Sequence, residues 1–104
     1  MSSGPETRLV NRIIKAINAI PRCKVEKNHG TQFGKPKLDL TGSVNGKMFQ
    51  LEVKVHGKKP TARQFHIIKE WQDVGVLAGW CDTTEGALEF IQPLLKEENN
   101  GHQS

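Results

Sequence analysis

An Asn45-Gly46 dipeptide between two alternating segments constrains the fold of this chain more than any other feature of its sequence. Asn-Gly is the strongest short-range signal for a two-residue hairpin, because both central residues of a type I′ turn need a positive φ. Residues then pair outward from Val44 and Lys47, which places Asp39 directly opposite Glu52. The turn therefore predicts a hairpin together with its register.

The alternation of this hairpin predicts one polar and one apolar face, because side chains point to opposite faces at successive residues of a strand. The predicted polar face carries Lys37, Asp39, Thr41, Gln50, Glu52 and Lys54, and the predicted apolar face carries Leu38, Leu40, Phe49, Leu51 and Val53. Two carboxylates directly opposite each other repel. The pairing of Asp39 with Glu52 thus indicates a positive charge between them.

These two carboxylates form an oxygen-rich pair that suits Mg²⁺ or Mn²⁺, and the ammonium of Lys54 can hold a water or a phosphate oxygen. Together the three groups outline a phosphodiesterase site. The alternative is that both acids lie on the solvated face of an ordinary sheet, with Lys37 and Lys54 partly neutralising them. The opposition of the acids, the Glu-x-Lys spacing and the apolar reverse face favour the site.

The spacing of these residues resembles a known nuclease signature. Asp39, twelve intervening residues and then Glu52-Val53-Lys54 are similar to the PD-(D/E)XK pattern. A narrower resemblance, to the stand-alone phage or bacterial type of the VRR-Nuc (virus-type replication-repair nuclease) branch, rests on Leu38-Asp39-Leu40, Leu51 to Lys54, Pro60-Thr61, Gln64 and Gly75. It extends from about Glu6 to about Leu95. One departure is Leu38, where the family usually has a proline.

The resemblance implies a fold and a set of site residues. The implied fold is α/β, with a restriction-endonuclease-like αβββαβ core in which helices flank a mixed central sheet. The expected cofactor is Mg²⁺, with Mn²⁺ able to substitute. The expected metal ligands are Glu6 through water, Asp39, Glu52 and the backbone carbonyl of Val53, and the expected catalytic residues are Asp39, Glu52, Lys54 and Gln64.

Two of these residues have a second interpretation as helix caps. Ser3-Gly4-Pro5-Glu6 fits a capping box, in which the third helical residue satisfies backbone donors. Thr61-Ala62-Arg63-Gln64 fits another. For Gln64 the cap and the site are compatible, and for Glu6 both interpretations stay open.

Basic residues concentrate near the expected site in a chain whose net charge is +4. Such a local positive field favours a polyanionic substrate. The residues expected to contact the DNA backbone are Lys35, Lys37, His56, Lys58, Lys59 and Arg63. For residues 57–60 the alternative is an ordinary solvated loop. Trp71 and Trp80 are predicted to be core or interface aromatics rather than base-stacking platforms.

The predicted function is that of a metal-dependent DNA endonuclease with little sequence specificity. The resemblance implies hydrolysis that leaves a 5′-phosphate and a 3′-hydroxyl. Similarity to dimeric Holliday-junction resolvases makes branched DNA an expected substrate and a homodimer the expected assembly. The alternatives are a non-catalytic DNA-binding module that retains the nuclease fold and an accessory subunit whose partner supplies the chemistry.

The order of predicted elements is helix, three strands, helix, strand and a final helix. A single domain is expected over residues 1–96, followed by a disordered polar tail over 97–104. The predicted bounds are a helix from Glu6 to Ile20, a strand from Arg22 to Lys27, a hairpin from Lys37 to Val55, a helix from Thr61 to Val74, a strand from Val76 to Cys81 and a helix from Thr84 to Lys96.

Cys23 and Cys81 have no metal-type spacing and are expected to be reduced and semi-buried. No signal segment is evident, and no apolar run approaches membrane-spanning length. We therefore expect a cytoplasmic protein, in a bacterium or a phage-infected host cell, with no membrane partner.

Overall fold

The structure, a computed structural model, describes residues 4–29 and 36–101, with the backbone alone over 97–101. In chain order the elements are α1 (Pro5–Asn18), β1 (Cys23–Lys27), β2 (Leu40–Val44), β3 (Lys47–Val53), α2 (Ala62–Asp73), β4 (Leu77–Cys81), α3 (Thr84–Phe90) and α4 (Gln92–Gly101). The described strands form one sheet in the order β1-β2-β3-β4.

The sheet is mixed, as predicted. β1 pairs with β2 and β2 with β3 in antiparallel fashion, whereas β3 and β4 are parallel and α2 connects them. Helices flank the sheet, and the predicted αβββαβ core is confirmed.

The hairpin between β2 and β3 has the predicted register. Asn45 and Gly46 have φ values of 53° and 85°, as a type I′ turn requires. Val44 pairs with Lys47, and Leu40 pairs with Leu51. The regular ladder ends at that second pair, so Asp39 lies immediately beyond it.

Two apolar clusters in the described residues cover the two faces of the sheet. The larger one joins the buried stripe of α1, including Ile13 and Ile17, to Leu40 and Phe49 of the hairpin. The smaller one lies under α2 and contains Leu38, Ile68 and Ala78, with Ile67, Trp71 and Trp80 packed against it. Both tryptophans are therefore partly buried beside the core, as expected.

The position of Leu38 corrects the predicted faces of the hairpin. Leu38 packs with Ile68 under α2, whereas Leu40 belongs to the cluster on the opposite side. Strict alternation would have placed both on one face. The chain bends at Asp39, so alternation does not extend beyond the first residue of β2.

The polar face of the hairpin is also different from a solvated one. Gln50 and Glu52 are only 4% and 2% exposed, because α2 covers this side of β3. The alternative in which the carboxylates lie on an ordinary solvated face is thus wrong for Glu52.

The final predicted helix is interrupted. α3 ends at Phe90, and α4 begins at Gln92 and continues to Gly101, beyond the predicted end at Lys96. Pro93 explains the interruption, because it has no N–H to bond the carbonyl of Glu89 in a continuous helix. The backbone of residues 97–101 is helical where a disordered tail was predicted, and residues 102–104 lie outside the described residues.

The remaining elements match their predictions within three residues at each end. Cys23 is partly exposed and Cys81 buried, and neither forms a disulfide. No helix in residues 4–29 and 36–101 is long and apolar enough to cross a membrane.

Gly42→Ala is expected to destabilise the protein by about 1–3 kcal/mol, the usual cost of forcing extra atoms into a packed core. Gly42 pairs with Phe49, and a Cβ at this position would overlap the Phe49 ring and approach the carbonyl oxygen of Lys24. Urea unfolding measures the change. A Gly42→Ala protein as stable as the wild type would contradict the packing argument.

Candidate active site

Asp39 and Glu52 lie next to each other where the β2–β3 ladder ends, and each binds the backbone of the other strand. Asp39 Oδ2 accepts a hydrogen bond from the backbone N–H of Val53 at 3.0 Å. Glu52 Oε1 accepts one from the backbone N–H of Asp39 at 3.2 Å. These reciprocal bonds replace the next step of the ladder and orient both carboxylates.

Glu52 has an unusual environment for a carboxylate. Its side chain is almost fully buried, and burial together with the negative charge of Asp39 raises its pKa to about 7. The ammonium of Lys54 acts in the opposite direction but does not compensate for both effects. The single positive charge of Lys54 therefore does not offset burial and the Asp39 charge, and a further cation at this point would favour the ionised form of Glu52.

Lys54 and Gln64 both approach the second oxygen of Glu52. Lys54 Nζ lies 3.6 Å from Glu52 Oε2, and Gln64 Nε2 donates to the same oxygen at 2.8 Å. Lys54 keeps 18% of its side chain exposed. Its ammonium is thus held beside the carboxylate pair while remaining accessible from solvent.

Gln64 combines the two roles that the sequence left open. Its Oε1 accepts from the backbone N–H of Thr61 at 2.9 Å, and its own backbone N–H donates to Thr61 Oγ1 at 3.1 Å, which completes the predicted capping box. The amide nitrogen of the same side chain remains free to donate to Glu52. The cap therefore fixes α2 and aims Gln64 at the carboxylate.

Asn28 is a positioning residue that sequence reasoning missed. Its backbone N–H donates to the carbonyl of Asp39, and its Nδ2 donates to the carbonyl of Leu38, both at 2.8 Å. These bonds hold the bend that precedes β2. Its role could be found only from the pairing of β1 with β2. Lys27 pairs with Leu40, so the next step of that register places Asn28 opposite Asp39.

A structure described as a VRR_NUC domain matches with a TM-score of 0.73, covering 86% of this chain and 97% of that chain at 17% sequence identity. This chain has the VRR_NUC fold. No protein-family model matches the sequence, and no curated protein matches it.

Glu6 remains a predicted metal ligand through water in this VRR_NUC fold, and its place in α1 bears on the capping interpretation. It is exposed in the first turn of α1, and Gly4 is the N-cap, so Glu6 is the second helical residue. Gly4 at the N-cap has no side-chain bond, and Ser3, the other residue of the predicted capping box, lies outside the described residues. Within the described residues, no group of three or more His, Cys, Asp or Glu side chains is arranged to hold one metal ion.

The basic residues expected at the site of the VRR_NUC fold are mostly solvent-exposed. His56 Nδ1 lies 3.7 Å from Asp82 Oδ2, and its side chain is 93% exposed. Lys35 lies outside the described residues. The exposed cations are Lys37 before the bend, Lys58 and Lys59 in the loop after β3, and Arg63 in the first turn of α2.

The donor set at the end of the hairpin fits a hard divalent cation. Mg²⁺ is commonly bound by one or two carboxylates, with water and substrate phosphate completing an octahedron. Asp39 and Glu52 supply two adjacent carboxylates. The backbone of Val53 lies beside them, because its N–H donates to Asp39 Oδ2. The residues present therefore suit the expected metal without requiring a third acid.

Proposed function

We propose that this chain is a metal-dependent endonuclease that hydrolyses phosphodiester bonds in DNA. The observation that carries the proposal is the buried Glu52 held against Asp39, with Lys54 directly beside it. A buried carboxylate next to a second negative charge destabilises a fold, so a purely structural role does not account for it. The VRR_NUC fold supports the same conclusion.

Asp39, Glu52 and the carbonyl of Val53 would hold Mg²⁺ or Mn²⁺, which when bound polarises a scissile phosphate and lowers the pKa of a bound water. Lys54 would stabilise the negative charge that develops on the phosphate oxygens. Gln64 would keep Glu52 in place through its bond to Oε2. Hydrolysis leaving a 5′-phosphate and a 3′-hydroxyl is part of this proposal.

The exposed basic side chains would hold the DNA backbone around this site. Contacts with phosphates position DNA without reading its bases, which predicts steep salt dependence and little sequence specificity. The proposed backbone contacts are Lys35, Lys37, His56, Lys58, Lys59 and Arg63.

Branched DNA as the substrate and a homodimer as the active assembly belong to the same proposal. Two copies related by a two-fold axis would present two sites to two strands. Met48 and Phe65 are large apolar side chains that are 45% and 44% exposed, and they offer surface for such an assembly.

A DNA-binding module without cleavage is the second candidate. It is favoured by the lack, in the part of the chain that the structure describes, of a third acid or histidine beside Asp39 and Glu52. In that case Asp39 and Glu52 would be the remainder of an incomplete metal site, and DNA binding would be independent of divalent cations.

Cleavage of labelled four-way-junction, flap, single-stranded and duplex DNA in Mg²⁺, Mn²⁺ and EDTA decides between the candidates. The endonuclease is expected to cut at least one substrate in Mg²⁺ or Mn²⁺ and none in EDTA, with the branched substrates cut fastest. Binding of every substrate without cleavage under any condition would favour the binding module.

A further inference from the structure

A cleft of about 670 Å³ opens between the hairpin and α2, close to the carboxylate pair. This volume lies within the range of pockets that hold small molecules, about 300–1,000 Å³. One wall is formed by Ile67, Trp71 and Val74. Thr41 and Gln50 border it from the sheet.

The cleft is about one nucleotide away from the proposed site of cleavage. Gln50 and Glu52 are two residues apart on β3 and face the same side, which separates them by about 6–7 Å along the strand. Lys37, also at the cleft, precedes Asp39 by two residues. A strand with its phosphate at the carboxylates would thus bring a neighbouring nucleotide to the cleft.

The chemistry of the lining combines the groups that bind a nucleobase. Trp71 packs against the small apolar cluster but is only partly buried and also lines the cleft, so it offers an aromatic ring that its predicted role as a core aromatic left out. Ile67 adds an aliphatic surface on the same helix. The Thr41 hydroxyl donates to Gln50 Oε1 at 3.0 Å, and the half-buried oxygen of Thr41 can still accept a hydrogen bond from a base edge. The exposed ammonium of Lys37 suits the phosphate of the same nucleotide.

We propose that this cleft binds one unpaired nucleobase adjacent to the phosphate that is cleaved. The proposal deepens the proposed nuclease function and rests on it. A paired base is stacked within the duplex and cannot enter a cleft of this kind without being flipped out. The enzyme would therefore select DNA with unpaired nucleotides, as at a flap or a single-stranded end.

Glu70 is the acidic residue among the described residues that line the cleft, and its position is compatible with this occupant. Its carboxylate Oε2 lies 3.4 Å from Nε2 of His66 on the exposed side of α2. Lys37 provides a positive charge at the same cleft. Because Glu70 is paired with His66, its negative charge opposes the approach of a nucleotide phosphate to Lys37 less strongly.

Binding of fluorescently labelled DNA to the Asp39→Asn protein in EDTA tests the cleft independently of cleavage. The probes are a single-stranded oligonucleotide, the same strand with one abasic position placed at each site in turn, and a blunt duplex. Stacking on an aromatic ring changes affinity substantially for each base. One abasic position is expected to weaken binding by about 10-fold, with neighbouring positions having smaller effects.

Two substitutions in the cleft are each made separately in the Asp39→Asn protein. Trp71→Ala is expected to weaken binding of the single strand by about 10-fold and to leave duplex binding within about twofold. Val74→Glu is the variant that keeps the fold, since Val74 is 71% exposed, and it places a negative charge at the cleft. Asn11→Glu adds the same charge on the exposed surface of α1 and should change neither affinity.

Equal weakening of single-stranded and duplex binding by the cleft variants would overturn the proposal, and so would abasic strands that bind as well as intact ones. Cleavage by the wild-type protein is scored separately. A protein that cuts DNA but shows no base-dependent binding refutes the cleft alone. One that shows base-dependent binding without cutting refutes the nuclease and leaves the cleft supported.

Discussion

Asp39→Asn is expected to abolish DNA cleavage, with a loss of at least about 10³-fold in the single-turnover rate. Asparagine retains an oxygen that can accept the bond from Val53 N–H but removes the negative charge that a divalent cation requires. A bound metal stabilises the charge of the transition state by several kcal/mol, and losing about 4 kcal/mol slows the reaction about 10³-fold. Cleavage of the best substrate in excess enzyme is the measurement.

The same substitution should leave the fold intact in the absence of metal. Removing the Asp39 charge removes one cause of the raised pKa of Glu52, so the metal-free variant should be as stable as the wild type or slightly more stable. Wild-type protein should gain about 2.7 kcal/mol of stability in Mg²⁺ at 100 times the dissociation constant. Asp39→Asn should gain far less, which thermal unfolding with and without Mg²⁺ will show.

Asp73→Asn is the matched control for this experiment. Asp73 is 61% exposed near the end of α2 and pairs with Lys69 at 3.1 Å, so the same chemical change occurs away from the site. Exposed pairs of this kind contribute little to stability. Cleavage by Asp39→Asn at the rate of Asp73→Asn would exclude a role for the carboxylate in catalysis.

Glu52→Gln is expected to remove most of the pH dependence of stability between about pH 5 and pH 8. Folding raises the pKa of Glu52 from 4.5 to about 7, so in this window the folded state binds a proton that the unfolded state has released. Stability must then fall as pH rises through the window. The wild-type loss attributable to Glu52 is on the order of 3 kcal/mol without metal, at 1.36 kcal/mol per pH unit.

The variant also has a cost that does not depend on pH. A glutamine side chain has one oxygen, whereas the two oxygens of Glu52 accept from Asp39 N–H and from Gln64 Nε2. One buried donor therefore loses its acceptor, and the variant should be less stable than the wild type at pH 5 by about 1–3 kcal/mol. The difference between the two proteins should shrink or reverse by pH 8.

Urea unfolding of both proteins at several pH values, in EDTA, measures this difference. Glu26→Gln is the control, because Glu26 is 70% exposed on β1 and its variant should retain the wild-type slope. Parallel pH profiles for wild type and Glu52→Gln would show that Glu52 ionises normally in the folded protein. Mg²⁺ should stabilise the wild type at pH 8 and have little effect on the variant.

The local sequence was sufficient to predict the hairpin and the pair of acids. A type I′ turn specifies its own register, because Asn45 and Gly46 accept the positive φ values that few other residues tolerate. The capping box at Thr61 was equally local, since its partners are three residues apart. Interactions of short range depend on few conformational choices, and the sequence alone therefore determined them.

The tertiary structure decided how these pieces become a site. The packing of α2 on the sheet buries Glu52 and brings Gln64 to it, and neither effect is encoded near residue 52. The bend at Asp39 depends on Asn28, which is remote in sequence and adjacent only through strand pairing. Burial and long-range hydrogen bonds arise from packing, so periodicity predicted a polar face but not the burial of its carboxylate.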